Sequence, residues 1–251
     1  MKILITGAYG FLGKNLIARL NECENKHTIY SFDVDTPLSD LEKYTADCDF
    51  VFNFAAVHRP KENSEFEKVN HVFFDDLLGL LKKHGNRCPV LYTSSIQATN
   101  GTDYGNSKLA AEADLRAYGK ETGARAIVYR LSNVYGRWAT PNHHSVVATF
   151  CNNLALGLPI MVNNRDHVMN FHYIDDVIDD FMAQLDGKCK EDDDGIFRIA
   201  RIHTITLGDL ADTLMEFQSA VAKNETPRLE NESQKNLFST YLSYVELNKK
   251  K

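Results

Sequence analysis

The stretch Lys2–Gly13, K-I-L-I-T-G-A-Y-G-F-L-G, constrains the fold more than any other part of this chain. A short β-branched apolar run leads into glycines spaced G-x-x-G-x-x-G. A segment with Leu12, Leu16, Ile17 and Leu20 at helical period follows. The order is strand, tight turn, helix. Gly7 permits the turn, Gly10 leaves room for a pyrophosphate to approach the backbone, and Gly13 lets the helix lie close to the strand. The helix N-terminus then offers free N–H groups and the positive end of its dipole to the phosphates. Tyr9, Phe11 and Leu12, between these glycines, complete the candidate nucleotide cradle.

The segments that follow fit a dinucleotide-binding βαβ frame. Thr28–Asp33 reads as a second strand ending in an acid, about 20 residues beyond Gly13. An acid there accepts hydrogen bonds from the adenosine ribose and repels a 2′-phosphate; the competing assignment is a loop aspartate. Pro37–Tyr44 reads as a short helix. Phe50–Val57 reads as a buried strand whose small Ala55-Ala56 end leaves space for a cofactor. Asp49 fits either an adenine-edge ligand or a turn, and Arg59 either a phosphate contact or a solvated cation. Glu65–His84 has the period of one long helix, with Asn70 inside it as a further cofactor candidate. Pro89–Thr93 is the next strand and runs into Ser94-Ser95 and Gln97.

The chemistry sits at Tyr104-Gly105-Asn106-Ser107-Lys108, a Y-x-x-x-K that opens a helix. Positions i and i+4 share a helix face, so the ammonium lies near the phenol. A neighbouring cation favours phenolate and lowers the tyrosine pKa toward neutrality, which suits proton exchange at a carbonyl or alcohol oxygen. Ser95, at the preceding strand end, is placed to hold that same oxygen. The matching hydride comes from a nicotinamide, because no side chain supplies one.

These pieces together resemble the extended short-chain dehydrogenase/reductase superfamily over nearly the whole chain. The matching stretches are Thr6–Gly13, Phe52–Ala56, Ser94-Ser95, Tyr104 with Lys108, Tyr129–Gly136 and Tyr173–Val177. The resemblance implies a Rossmann-like doubly wound parallel sheet in a single α/β domain, with a smaller C-terminal substrate lobe from about 137–172 and 196–251. It implies Ser95, Tyr104 and Lys108 as the catalytic triad and Asn133 on the substrate side. Ser94–Thr99, Tyr104–Leu109, Gly136-Arg137-Trp138, Pro141-Asn142, Ala148–Cys151 and Phe238–Tyr244 resemble, more narrowly, the reductase half of the capsular-polysaccharide UDP-sugar reductases. Those enzymes reduce a UDP-2-acetamido-2,6-dideoxy-4-hexulose at C4 to UDP-N-acetyl-6-deoxytalosamine. Their usual cupin domain has no counterpart in this sequence, so no metal site is carried over. The same triad fits a nucleotide-sugar 4-epimerase or a dTDP-4-keto-sugar reductase. A dinucleotide-binding redox sensor needs no such triad.

The cofactor expected is NAD(P)(H). The resemblance implies NADPH, whereas Asp33-Val34, with no arginine beside them, favours NADH. Arg137, Asn142 and Arg165 are candidates for the substrate's diphosphate or base, as solvated surface residues otherwise. His143-His144 point apart and make no metal pair. Ser145–Leu156 reads as a helix, Leu158–Val162 as a strand, Asp175–Leu185 as a helix, Ile196–Ala200 as a strand and Thr206–Val221 as a helix. The net charge of −6 argues against nucleic-acid or anionic-membrane partners. Five scattered cysteines suit a reducing compartment, and no signal peptide or membrane span is expected, giving a cytoplasmic protein. Pairing of the long helices Glu65–His84 and Tyr104–Thr122 is the homodimer the resemblance suggests.

Overall fold

The computed structural model describes residues 1–24, 27–58, 60–143, 145–189 and 191–249. Arg59 and His144 lie outside the described residues. The chain divides into two compact units, residues 1–131 with 178–199 and residues 132–177 with 200–251.

The first unit is built on a parallel sheet of five strands: β1 (Lys2–Thr6), β2 (Thr28–Phe32), β3 (Phe50–Asn53), β4 (Val90–Ser95) and β5 (Ala126–Leu131), in the order β2-β1-β3-β4-β5. Parallel neighbours need crossovers, and α1 (Phe11–Glu22), α2 (Leu38–Asp47), α3 (Phe73–Lys83) and α4 (Asp103–Thr122) supply them. Every residue of β3 and β4 is buried, as expected for strands covered on both faces. Alternation then sorts the side chains. Leu4, Val51, Val90, Tyr92 and Val128 face Leu41, Phe74, Leu77, Leu81, Ala111 and Leu115 of the helices. On the opposite face Phe52, Phe54 and Tyr129 meet Phe181 of α6 (Ile174–Leu185), with ring centroids 5.1–6.2 Å apart.

The second unit holds a three-stranded sheet in which β7 (Val168–Tyr173) pairs parallel with β6 (Asn133–Tyr135) and antiparallel with β8 (His203–Thr206). The helices α5 (Val146–Ala155), α7 (Leu207–Ala222) and α8 (Glu232–Lys249) pack on one another. Phe217 meets Phe238 edge-on at 5.1 Å, and Tyr244 donates its hydroxyl to Ala139 O.

Several expectations are corrected. The Phe50–Val57 strand stops at Asn53: Phe54 N still donates to Thr6 O, but the next amide, Ala55 N, meets the Thr6 hydroxyl at 3.4 Å instead of a strand carbonyl. The helix expected over Glu65–His84 is π-helical from Phe66 to Val72 before α3 begins. Leu158–Val162 is irregular and largely exposed, and no strand among the described residues pairs with it. Ile196–Ala200 reduces to one bridge, with Phe197 N donating to Val128 O at 2.8 Å. No helix among the described residues is long and apolar enough to cross a membrane.

Candidate active site

Parallel strands end together, so the C-terminal ends of β1, β3 and β4 gather the candidates for chemistry. After β1 the chain turns at Gly7, whose φ of +63° suits only glycine, and a Cβ there would stand 2.8 Å from the Phe54 carbonyl carbon and the Ala55 nitrogen. Gly10 then caps α1 with no side-chain hydrogen bond, and no acid stands in the first turn. The leading N–H groups around Phe11, Leu12 and Gly13 are left without a side-chain acceptor, as an anion site requires. Asp33 lies just past β2, where one carboxylate oxygen accepts from Tyr9 N at 2.7 Å and the other from Val34 N at 2.9 Å. The acid therefore fastens the glycine loop. Ala55 and Ala56 follow β3 and are part-exposed, while Tyr9 is exposed.

Asp49 is a correction. It precedes β3, at the N-terminal end of the sheet, and its carboxylate accepts from Lys2 N at 2.7 Å. The glycine loop follows the C-terminal end of the neighbouring strand, so Asp49 closes the far edge. Asn70 is corrected as well. Its amide is engaged within the protein, accepting from Val57 N at 2.7 Å and donating to Val57 O and Ser107 Oγ at 3.1 and 3.3 Å. It fixes the segment after β3 against α4.

Ser95 ends β4, and a single 3-10 turn, Ile96–Thr99, carries the chain to α4. Ser95 Oγ accepts from Gln97 N at 3.1 Å, while Gln97 itself is exposed. The turn lies directly on α4: a Cβ at Gly105 would overlap Gln97 O and stand 2.5 Å from Asn100 Oδ1. This close approach lets so short a connection place Ser95 beside Tyr104, near enough for its hydroxyl to act on the phenol. The phenol ring lies between His58 and Phe66, with centroids at 5.4 and 5.6 Å.

Lys108 is 2% exposed and stands one turn after Tyr104. Its Nζ donates to Thr93 O at 3.0 Å, 4.9 Å from the Tyr92 ring centroid and 6.0 Å from that of Tyr104. Burial lowers its pKa to about 7, opposed by the Glu112 carboxylate. Burial pushes Tyr104 up to about 12, opposed by the hydrogen bond with Ser95. The expected lowering of the phenol by Lys108 is not found: burial raises Tyr104 and Ser95 alone opposes it, because desolvation disfavours the charged form of both Tyr104 and Lys108.

Three features of this unit suit a phosphorylated, hydroxylated dinucleotide. The N-terminus of α1 is open, and among the described residues two of the three Lys108 N–H bonds have no protein acceptor and the buried Asn53 Nδ2 at the end of β3 has no hydrogen bond. Tyr104, Lys108 and Asp33 are the side chains that could hold it.

The second unit carries the other candidates. Asn133 donates to Asn170 O at 3.3 Å, and the Arg137 guanidinium lies 4.7 Å over the Trp138 ring and 3.9 Å from Asp175. Trp138 and Asn142 have φ of +70° and +60°; asparagine tolerates this region and tryptophan is strained there. Arg165 pairs with Asp212 at 2.6 Å. A cavity of about 270 Å³ in this unit is lined by Tyr135, Phe171, His203, Asp209 and Asn231 among others, and by none of Asn133, Arg137, Asn142 or Arg165. Sequence reasoning missed Asn53, Gly105, Glu112 and Arg130. Only Glu112, one turn beyond Lys108, had a signal in spacing.

The chain is similar in sequence and fold to known proteins. The description "NAD dependent epimerase/dehydratase family" matches residues 3–200. The UDP-2-acetamido-2,6-beta-L-arabino-hexul-4-ose reductase of Pseudomonas aeruginosa is 37% identical over 98% of this chain and 65% of its own length. The capsular polysaccharide assembling protein CapF of Staphylococcus aureus superposes with a TM-score of 0.88 at 36% identity, over 98% of this chain and 66% of that one. The chain thus spans just under two thirds of the length of these relatives. The UDP-glucuronic acid 4-epimerase of Bacillus cereus, solved with NAD, shares the fold at a TM-score of 0.82 and 18% identity, over 98% and 99% of the two chains.

Proposed function

Because the chain belongs to the NAD dependent epimerase/dehydratase family, we propose that it is an NAD(P)H-dependent 4-reductase of a UDP-linked 2-acetamido-2,6-dideoxy-4-hexulose. The product is UDP-N-acetyl-6-deoxytalosamine, for surface polysaccharide. The observation that carries this is the convergence of Ser95, Tyr104 and buried Lys108 at the ends of β4 and α4, in a chain 37% identical to a hexulose 4-reductase.

The nicotinamide, when bound, supplies the hydride that reduces C4. Tyr104 gives its phenolic proton to the developing alkoxide, and Ser95 Oγ holds that oxygen in line with the phenol. Lys108 offers its two remaining N–H bonds to ribose hydroxyls and supports the phenolate that Tyr104 becomes. The N-terminus of α1 takes the pyrophosphate, and Asp33 accepts from the adenosine ribose. Gln97 of the first unit supplies an amide on the substrate side, and Asn133 is the amide candidate of the second unit. Arg137, Asn142 and Arg165 supply donors for the diphosphate and base, with Arg165 exchanging Asp212 for the ligand. The reading includes a cytoplasmic enzyme that pairs as a homodimer through α3 and α4.

The test is loss of the reduced-nicotinamide absorbance on addition of the UDP-4-keto sugar. Turnover is expected with the wild-type chain, and Tyr104→Phe is expected to lose a factor of about 10²–10⁴ in kcat while still binding NADH. Full turnover by Tyr104→Phe rejects the assignment. No consumption, with tightly held NAD released on denaturation, replaces the reductase by an epimerase.

A further inference from the structure

One helical turn beyond Lys108, α4 buries a carboxylate that the reaction as described does not use. Glu112 is 1% exposed. Its Oε1 accepts from Ser94 Oγ at 2.5 Å and from Arg130 Nε at 2.8 Å, and its Oε2 accepts from Arg130 Nη2 at 2.7 Å. Arg116 Nη2 is 3.9 Å away. Ser94 and Arg130 are directly paired residues of β4 and β5. One side chain of α4 therefore grips the ends of two strands, next to Ser95.

The groups facing Lys108 are few. Strand β4 presents Thr93 O and the Tyr92 ring, and α4 presents Tyr104 and Glu112, with Arg130 of β5 behind Glu112. Glu112 stands at i+4 from Lys108 on α4, both side chains buried on one helix face, and its carboxylate opposes the desolvation that lowers the Lys108 pKa. Arg130 binds the same carboxylate bidentately and dilutes that field.

We propose that Glu112 is a positioning residue for the reaction: its buried carboxylate ties α4 to the ends of β4 and β5 and sets a negative charge one helical turn from Lys108, on the helix that also carries Tyr104. The kinetic part of this inference rests on the reductase reading; the charge on Lys108 does not.

The experiment follows Lys108 directly, by NMR of the full chain labelled with ¹³C-lysine, its resonance assigned by difference from Lys108→Met. Glu112→Gln keeps the size of the side chain and an acceptor for Arg130 but removes the charge. The Lys108 titration midpoint is expected to fall by about half a pH unit or more, roughly a threefold change in proton affinity. Glu112→Asp is expected to restore most of it. In 4-keto-sugar reduction, the limb on which kcat declines with rising pH is expected to move to lower pH by the same amount. An unchanged Lys108 midpoint in folded Glu112→Gln reduces Glu112 to a structural strut and overturns the proposal. If Glu112→Gln does not fold, Arg130→Gln tests the same field with opposite sign: a raised midpoint supports the proposal, and an unchanged or lowered one overturns it. A wild-type chain that reduces no 4-keto sugar rejects the reductase reading, while the midpoints still decide the role of Glu112.

Discussion

Replacing Lys108 by methionine is expected to make the cofactor-free protein more stable at neutral pH. Lys108 is 2% exposed and its ammonium has one protein acceptor among the described residues, Thr93 O. Burial holds its pKa at about 7 instead of 10.5. At about 1.4 kcal/mol per pKa unit, the charged side chain lowers stability by up to about 5 kcal/mol. Losing the bond to Thr93 and leaving that carbonyl unpartnered costs about 1–3 kcal/mol. The net gain at pH 7 is of order 2 kcal/mol, or roughly 4–8 °C in Tm for a chain of this size. The sign follows from proton counting. Below about pH 7 lysine is protonated in folded and unfolded chains alike, and the full penalty stands. Between about 7 and 10.5 the unfolded chain holds a proton that the folded chain has released, so wild-type stability rises with pH. Above 10.5 the penalty is gone. Calorimetric melting of both proteins from about pH 6 to about pH 10 should show an advantage for Lys108→Met that shrinks and then reverses. A variant that is less stable at pH 7, or a gap that does not change with pH, refutes the reasoning.

Two further outcomes follow from the geometry. Asp33→Ala removes the carboxylate that holds Tyr9 N at 2.7 Å and would meet a ribose hydroxyl. NADH affinity is expected to drop about tenfold and NADPH affinity less, measured by nucleotide fluorescence; an unchanged NADH-to-NADPH ratio rejects the role. Gly105→Ala places a Cβ against Gln97 O, which is backbone and cannot swing aside. A loss of about 1–3 kcal/mol in urea unfolding is expected, with a fall in kcat as Ser95 shifts from Tyr104; native stability with full turnover rejects the account.

The parts of this structure that sequence made legible are those governed by local pattern. Lys2–Gly13 shows its strand, turn and helix in composition alone, and Phe50–Asn53 and Val90–Ser95 are continuous runs that suit strands covered on both faces. Ser95, Tyr104 and Lys108 could be named because a strand end and an i, i+4 pair are short-range features. Asp49 was also decidable: an acid ahead of a parallel strand stands at the edge opposite the loop after its neighbour. Other features needed three dimensions. Glu65–His84 keeps one apolar period whether its first turns are α or π, and the break follows from Asn70 bonding Val57 and Ser107. β6 and β8 are only three and four residues long and owe their existence to β7 between them. The Ser94–Glu112–Arg130 clamp depends on residues 94 and 130 being paired, which no spacing reveals.

Charge at the site runs against charge in the whole. The chain carries a net −6, yet the C-terminal ends of β1, β3 and β4 present mainly donors. These are the uncapped first turn of α1, the free Asn53 Nδ2, two N–H bonds of Lys108 and the Tyr104 hydroxyl. The acid that fastens the loop, Asp33, already receives two backbone N–H groups. Buried donors lacking acceptors are tolerated where a ligand repeatedly supplies them, since each costs about 1–3 kcal/mol when left empty. The ligand that satisfies such a set is rich in acceptors and anionic near α1. It must also present hydroxyls to Lys108 and accept a single proton from a phenol that burial holds near 12. At such a pKa Tyr104 is an acid that stays protonated until an oxygen of comparable basicity develops beside it. In the reduction proposed above, the alkoxide that develops at C4 is such an oxygen.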